Sequence, residues 1–226
     1  MVFAAGLGKR MGALTADRPK PLIAVAGKPL IDHALALAQD AGIQKIVVNV
    51  HYRADQLIDH LRDQSVVISP ELGQILDTGG GLRAALPLLG EGPVMALNSD
   101  AIWTGDNPLR QLSAAWDDRK MDALLLLLPI NRATGHGPRA DFAVAKDRRI
   151  SRGTGLEDHV FLGASILNPA CLAGISEQVF SLNVPWNRII AHGRAYGVVY
   201  RGGWCDVGTP EGIGLAEALL RDHPGD

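Results

Sequence analysis

The chain has 226 residues, of which 47% are hydrophobic and 20% charged, so it can bury the core of a folded domain and disorder is excluded. Its 22 basic and 24 acidic residues give a net charge of −2, without the basic excess of a nucleic-acid-binding protein. The longest apolar run, 123–128, is too short to cross a bilayer. We therefore expect neither a nucleic-acid nor a membrane partner. Two cysteines and a beginning without a signal-peptide pattern predict a cytoplasmic location.

The first hundred residues alternate predicted strands and helices. Short apolar segments at 2–5, 46–50, 66–68 and 94–97 show little polar alternation, which is typical of parallel strands buried on both faces. Apolar residues at helical spacing follow each of the first three segments, and the last of these helices opens at Gly79. This order predicts an α/β fold with a doubly wound, mostly parallel, Rossmann-like sheet and helices on both faces.

The second half of the sequence is less regular. Its predicted strands cover 124–128, 142–145, 160–167 and 195–200, and its predicted helices cover 186–192 and 211–221. We expect these segments to extend the sheet and cover one side of a crevice. Because no repeat or linker interrupts the sequence, we expect a single domain over 1–226.

Ligands of such sheets bind beyond the carboxyl ends of the strands. Four candidate segments fall at those ends: the turn at 6–10, His51, the loop before Gly79, and Asp100. The topology therefore predicts that they face one crevice.

The turn after the first strand carries the strongest signal for function. It reads Ala4-Ala5-Gly6-Leu7-Gly8-Lys9-Arg10-Met11 and is followed by Pro19-Lys20-Pro21-Leu22. A glycine-rich turn lets backbone N–H groups approach phosphate oxygens, and Lys9, Arg10 and Lys20 add three cations. Prolines on both sides of Lys20 restrict its backbone, which suits a cation that must point in one direction. The segment therefore predicts a triphosphate site.

The same turn does not satisfy the dinucleotide-binding fingerprint. Gly6 and Gly8 begin a G-x-G-x-x-G pattern, but Met11 takes the third position. Asn49 and His51 stand where an acidic residue would follow the second strand. A Rossmann oxidoreductase is therefore a third-ranked interpretation.

These segments resemble the signature of the sugar-phosphate nucleotidyltransferases. Further elements of that family occur in the same order, namely Gly27-Lys28-Pro29-Leu30-Ile31, Thr78-Gly79-Gly80-Gly81, Asp100 and Trp204-Cys205-Asp206-Val207-Gly208-Thr209-Pro210. The resemblance spans nearly the whole chain and implies the GT-A-like nucleotidyltransferase fold. It divides the domain into a nucleotide- and phosphate-binding half, 1–110, and a sugar-binding half with the cleft wall, 111–226. The implied substrates are a nucleoside triphosphate and a sugar 1-phosphate, which give a nucleotide-sugar and pyrophosphate.

The resemblance also implies roles for individual residues. Arg10 would hold the leaving pyrophosphate, and Lys20 would bridge the attacking phosphate and the α-phosphate as the second catalytic residue. Asp100 and Asp206 would hold Mg²⁺, for which Mn²⁺ can substitute, since hard cations prefer carboxylate and phosphate oxygens. Lys9 is a further candidate on the phosphate side. The sequence does not indicate an oligomeric state.

The remaining contacts with the substrates are expected from small residues and one acid. The nucleotide-binding candidates are Ala5, Gly6, Gly8, Gly80 and Gly81, and the sugar-binding candidates are Asp141 and Gly163.

Three features favour particular substrates. Many guanylyl-transferring members have glycine where this chain has Ala5, which favours UTP or dTTP over GTP. The short chain, the Asp141-Phe142 pair and the segment from Asp206 look like the N-acetylmuramate 1-phosphate uridylyltransferases of bacterial cell-wall recycling. A Glu-Lys pair common among relatives is replaced by Arg152-Gly153-Thr154-Gly155, and Arg152 or Arg139 could pair with the lactyl carboxylate of muramate.

Two alternatives remain open from the sequence. One is a mannose 1-phosphate guanylyltransferase or another hexose 1-phosphate enzyme. The other is a non-catalytic regulatory subunit that binds a nucleotide-sugar, although such a protein usually loses a phosphate-side cation or a metal carboxylate, and this chain has both.

Overall fold

A mixed nine-stranded sheet forms the centre of the structure, a computed structural model that describes residues 1–153, 155 and 158–223. The strands are β1 Val2–Phe3, β2 Ala24–Val25, β3 Lys28–Pro29, β4 Ile46–Val50, β5 Val66–Pro70, β6 Val94–Asn98, β7 Ala101–Thr104, β8 Ala123–Pro129, β9 Phe142–Val144, β10 Ile150–Arg152, β11 His159–Leu167, β12 Ala195–Val199 and β13 Gly203–Asp206. The helices are α1 Leu30–Asp40, α2 Ala54–Leu61, α3 Asp77–Leu89, α4 Pro108–Ala115, α5 Asn183–Ala191 and α6 Pro210–Asp222.

The parallel part of the sheet has the order β5-β4-β1-β6, built from the four strands predicted in the first hundred residues. This confirms the doubly wound α/β class. Strand β11 then pairs antiparallel with β6, β8 and β9, and β12 lies parallel to β8. The second half therefore extends the same sheet, as expected, but with one long strand reversed.

Helices cover both faces of the sheet, which explains the unbroken apolar run of β8. Leu124, Leu126 and Leu128 belong to the core on one face, whereas Leu125 and Leu127 belong to the core on the other. Successive side chains of a strand point to opposite faces, so a strand covered on both sides has no solvent-facing position. Each fully buried leucine contributes about 1.5–3 kcal/mol relative to an exposed one.

Helix α3 is longer than the sequence predicted, because it begins at Asp77 and runs for 13 residues. The three glycines lie in its first turns and are buried. The segment around Phe180 packs directly on them, since its carbonyl accepts hydrogen bonds from the N–H groups of Gly79 and Gly80 at 2.8 and 3.0 Å. This close approach accounts for glycine at the first two positions of the run.

Two small sheets, neither of which the sequence predicted, flank the site end of the molecule. Strands β7 and β13 pair antiparallel, with Asp206 opposite Ala101. Strands β2 and β3 form a hairpin, and a third apolar cluster containing Met11 and Cys205 joins both small sheets to α6. In the described part of the chain, no helix has both the length and the hydropathy needed to cross a membrane.

Candidate active site

A cleft with a volume of about 210 Å³ lies beyond the carboxyl ends of β1, β4 and β6. This main cleft is lined by Phe3, Ala4, Ala5, Gly6, Lys20, Pro21, Asn49, Glu71, Ile75, Asp77, Thr78, Asn98, Ser99 and Asp100. It therefore joins the glycine-rich turn, the Pro-Lys-Pro segment and the end of β6, as the predicted topology required. His51 does not line it, and its ring Nδ1 lies 2.8 Å from the carbonyl oxygen of Glu71.

The glycine-rich turn is held against the Pro-Lys-Pro segment at Gly8. The backbone of Gly8 has a φ of 62°, in the left-handed region, and a Cβ there would lie 2.9 Å from both Lys20 Cβ and Thr15 Cγ2. The hydroxyl of Thr15 donates to the carbonyls of Gly8 and Gly12, both at 3.2 Å. Glycine is thus needed at this position for backbone conformation and for space. Whether Gly8 also contacts a nucleotide stays a prediction.

Lys20 is a buried lysine, 8% exposed, whose ammonium group lies 2.7 Å from Asp100 Oδ2. Lysine is rarely buried without a partner, and this ion pair fixes the Nζ atom at the end of β6. The preceding residue, Pro19, has an extended backbone with a φ of −72° and a ψ of 146°. The cation and the carboxylate that the sequence assigned to one reaction therefore lie in contact.

Asp206 is brought beside Asp100 by the pairing of β7 with β13. It lies opposite Ala101, and the N–H of Val207 donates to the carbonyl of Asp100 at 2.9 Å. Burial, and secondly the charge of Asp100, raise the pKa of the Asp206 carboxyl above its ordinary value, while Lys20 and other nearby cations oppose that rise. Two aspartates 106 positions apart thus form one acidic pair.

Arg10 completes this group from the exposed side of the turn. A Cβ at Gly208 would lie 2.6 Å from Asp206 Oδ2 and 2.8 Å from Arg10 Nη1, so this guanidinium and this carboxylate converge on the same glycine. Arg10 belongs to a 3-10 helix, Lys9–Thr15, and Lys9 is exposed at its start. The role of Lys9 in phosphate binding stays a prediction. The structure therefore brings Arg10, Lys20, Asp100 and Asp206 together.

A buried polar network that the sequence analysis missed supports the floor of the main cleft. Asn49 accepts from the N–H of Ala4 at 2.8 Å and donates to Glu71 Oε1 at 2.6 Å. The other carboxylate oxygen of Glu71 accepts from the N–H of Leu76 at 2.7 Å. Asn49 and Glu71 are 3% and 5% exposed, so the pair ties β1 and the loop before α3 together in a low-dielectric site. An asparagine within an apolar strand was the available signal.

The predicted nucleotide contacts Gly80 and Gly81 do not line the main cleft, whereas Asp77 and Thr78 do. A Cβ at Gly81 would lie 2.5 Å from Glu71 Oε1, and a Cβ at Gly80 would overlap the carbonyl of Gln178. Packing alone therefore requires glycine at both positions. Their contact with a nucleotide stays a prediction, as does that of Ala5 and Gly6, which do line the cleft.

A second cavity of about 180 Å³, the side pocket, adjoins the main cleft and shares four of its lining residues. The side pocket is lined by Phe3, Asp77, Thr78, Ala96, Asn98, Phe161, Gly163, Ser165, Ser181, Leu182, Asn183 and Trp186. Gly163 lies within an irregularity of β11, has a φ of 82°, and leaves no room for a Cβ, which would lie 2.9 Å from Asn98. The predicted sugar-binding glycine thus lies at a cavity continuous with the main cleft.

Asp141, the other predicted sugar contact, lines neither cavity. Its carboxylate accepts from the N–H of Phe161 at 2.9 Å, and its own N–H donates to the carbonyl of His159. These contacts anchor β9 to β11, so the structure gives Asp141 a positioning role while its contact with sugar stays a prediction.

Arg152 and Arg139, the two residues that could pair with the lactyl carboxylate, differ in their surroundings. Arg152 donates through Nε to Asn187 at 2.8 Å and through Nη2 to Asn183 at 2.7 Å, and its guanidinium lies 4.6 Å from the centre of the Phe142 ring. Two of its donors are therefore already engaged, whereas Arg139 is exposed. Thr154, which belongs to the segment that replaces the Glu-Lys pair, lies outside the described residues.

Comparison with known proteins identifies the class that this fold and site define. Residues 1–146 match the model of the MobA-like NTP transferase domain, so the chain belongs to that family. It is an enzyme of the sugar 1-phosphate nucleotidyltransferase class.

Two curated relatives and a solved structure are similar to the chain over nearly its whole length. The chain is 41% identical to the N-acetylmuramate alpha-1-phosphate uridylyltransferase of Caulobacter vibrioides, over 98% of this chain and 96% of the relative. It is 34% identical to the protein of the same name from Neisseria meningitidis, over 97% and 96%. The crystal structure of HddC from Yersinia pseudotuberculosis matches with a TM-score of 0.75 and 21% identity, over 96% of this chain and 97% of that one, which shows a common fold.

Proposed function

We propose that the protein transfers UMP from UTP to N-acetylmuramate 1-phosphate in a magnesium-dependent reaction, releasing pyrophosphate and a UDP-sugar. The observation that carries this proposal is the convergence of two cations, Arg10 and Lys20, with two carboxylates, Asp100 and Asp206, beside the main cleft. Positioned charges of this kind are what phosphoryl transfer requires, because its catalysis is largely positioning and neutralisation of charge.

The acidic pair fits a magnesium ion. Burial and repulsion from Asp100 raise the pKa of Asp206, and a divalent cation would relieve that repulsion. Among the residues that the structure describes, no group of three or more aspartate, glutamate, histidine or cysteine side chains is arranged as a metal site. Asp100 and Asp206 would therefore bind the ion together with substrate phosphates and water, which is how Mg²⁺ is usually held. When bound, the ion neutralises charge on the phosphates.

The cations have separate tasks in this proposal. The phosphate of the sugar 1-phosphate is already an anion, so it attacks the α-phosphorus without a general base. Lys20, held by its contact with Asp100, would bridge the attacking phosphate and the α-phosphate. Arg10 is exposed at the mouth, where it can accompany the leaving pyrophosphate. No covalent intermediate with the protein is needed.

Two features support the choice of substrates. Ala5, a residue 4% exposed, lines the main cleft, and its methyl group would reduce the space open to a purine base. The two curated relatives that match over nearly their whole length are named for N-acetylmuramate 1-phosphate and uridylyl transfer.

A substrate grid tests this proposal. We expect the highest kcat/KM for UTP with N-acetylmuramate 1-phosphate when four nucleoside triphosphates are crossed with the 1-phosphates of N-acetylmuramate, N-acetylglucosamine, glucose and mannose. Activity should disappear in excess chelator. Ala5→Gly is the matched variant and should raise kcat/KM for GTP relative to UTP. A preference of the wild type for GTP with mannose 1-phosphate would overturn the proposal.

A further inference from the structure

Two residues that line the side pocket each carry a buried polar atom with no hydrogen-bond partner among the described residues. The two atoms are the hydroxyl of Ser165, a residue 1% exposed, and the indole N–H of Trp186, a residue 5% exposed. Burying such groups without a partner is unfavourable, so unpaired donors at a cavity wall indicate an acceptor from outside the protein.

The surroundings explain why the protein itself supplies no partner. Ser165 lies in β11 between two apolar cross-strand neighbours, Ala96 and Leu125. Trp186, in α5, lies between two aromatic rings that it meets edge to face, Phe142 at 6.3 Å and Phe161 at 4.9 Å between ring centres. These neighbours fix the two side chains in place and offer their polar atoms no hydrogen-bond acceptor.

The chemistry of the side pocket suits a neutral acceptor that carries a small apolar group. Of the described residues that line it, Asp77 alone is charged, and no lysine or arginine lies among them. A carboxylate there would therefore meet a like charge without a counterion. An amide carbonyl can accept from both the hydroxyl and the indole N–H, and a methyl group beside it would contact Phe161 and Leu182.

We propose that the side pocket binds the N-acetyl group of the sugar 1-phosphate, with Ser165 and Trp186 donating hydrogen bonds to its carbonyl oxygen. The pocket opens to the main cleft through Phe3, Asp77, Thr78 and Asn98, and Gly163 forms part of its wall. This inference rests on the proposed function, since it assumes an N-acetylated sugar in the site. It assigns the lactyl carboxylate of muramate to a different part of the cleft.

Ser165→Ala and Trp186→Phe test the assignment: the first removes one hydroxyl, and the second removes the indole N–H together with part of a buried ring. Isothermal titration calorimetry would measure the Kd of N-acetylmuramate, N-acetylglucosamine and glucose 1-phosphates, with Mg²⁺ and α,β-methylene-UTP present. We expect each variant to weaken binding of both N-acetylated sugars about threefold to tenfold, the loss of one neutral hydrogen bond, and to leave glucose 1-phosphate unchanged. Ser176→Ala, an exposed serine outside the pocket, is the control.

Three outcomes would overturn the assignment. The first is an unchanged Kd for all three sugar 1-phosphates, and the second is a loss of affinity for glucose 1-phosphate equal to that for the N-acetylated sugars. The third is a loss of affinity confined to N-acetylmuramate 1-phosphate, which would place the lactyl group in the pocket. Ser165→Ala removes an unpaired hydroxyl, so the urea midpoint of this variant should not fall below that of the wild type. If Trp186→Phe is unstable, the Ser165→Ala variant alone still decides the test. The wild-type substrate grid decides the proposed function, whereas the ratio of variant to wild-type Kd decides the side pocket.

Discussion

Lys20 and Arg10 provide positive charge to the same site in different ways. Lys20 is buried against Asp100, whereas Arg10 is exposed at the edge of the turn. The sequence indicated both residues through the spacing of the glycine-rich turn and the Pro-Lys-Pro segment. It could not show that Lys20 is buried, because burial depends on contacts between separate segments, such as the close approach of Gly8 to Lys20 Cβ.

We expect Lys20→Ala and Arg10→Ala each to lower kcat at least ~100-fold, because removing one positioned charge from a phosphoryl-transfer site costs about 3 kcal/mol. Steady-state pyrophosphate release would measure the loss. Lys45→Ala is the control, since Lys45 is an exposed lysine that precedes β4 at the opposite end of the strand. A variant that retains near-wild-type turnover would remove its residue from the catalytic group.

The raised pKa of Asp206 predicts a conflict between function and stability. A carboxyl whose pKa is raised in the folded state disfavours folding while it is ionised, and this penalty disappears as the pH falls below its unfolded-state pKa. At pH 7 in chelator, Asp206→Asn should therefore match or exceed the wild type in free energy of unfolding, and the difference should shrink as the pH is lowered.

Asp100→Asn is the matched comparison, because Asp100 pairs with Lys20 at 2.7 Å. It should lower the free energy of unfolding, since it leaves the buried ammonium group of Lys20 without the carboxylate that it contacts. Urea denaturation across pH 4 to 8 would measure both variants. A loss of stability in Asp206→Asn equal to that in Asp100→Asn would contradict this account of the acidic pair.

At the scale of elements, helix α3 shows how a cluster of glycines can serve packing. The sequence predicted these glycines as a helix opening and as nucleotide contacts. The structure adds the Asn49–Glu71 network beneath them and the Phe180 segment above them. Neither neighbour could be inferred from the local sequence, because Asn49 and Phe180 lie far from the glycines in the chain.

Gly81→Ala should destabilise the protein by about 1–3 kcal/mol, because its Cβ would lie 2.5 Å from Glu71 Oε1 and 3.0 Å from Asn49 Nδ2. Gly214→Ala is the matched control, since Gly214 lies within α6 with no atom within 4 Å of an added Cβ. There alanine should be neutral or stabilising, by up to about 1 kcal/mol. Urea unfolding would compare them, and equal effects of the two substitutions would disprove the packing argument.

Most helix positions and the buried parallel strands followed from apolar periodicity, whereas helix α4 and the direction of the strands in the second half did not. Alternation and length are the same for a strand that runs either way, so the reversal of β11 was not predictable from its own residues. The pairing of β7 with β13 was also missed, because its partners lie about 100 residues apart. Asp100 and Asp206 were grouped through the family resemblance alone, and the structure supplies the physical reason.

At the scale of the whole molecule, one sheet connects the two halves through the pairing of β6 with β11. The turn after β1 and the end of β6 supply the phosphate-side residues, and β11 with α5 supplies the side pocket. Because the two cavities share lining residues, a nucleotide in the main cleft and a sugar beside Gly163 would lie next to each other. This arrangement suits direct transfer between two bound substrates.

The central claim is that the site joins UTP and N-acetylmuramate 1-phosphate directly. Phosphorus NMR of the wild-type protein with both substrates and Mg²⁺ tests it most directly, because it resolves every phosphorus atom of the reaction. We expect the α-phosphorus signal of UTP to be replaced by the two phosphorus signals of a UDP-sugar. Pyrophosphate should form in a one-to-one ratio with the UDP-sugar. Hydrolysis of UTP to UDP and phosphate, or no conversion of either substrate, would contradict the account.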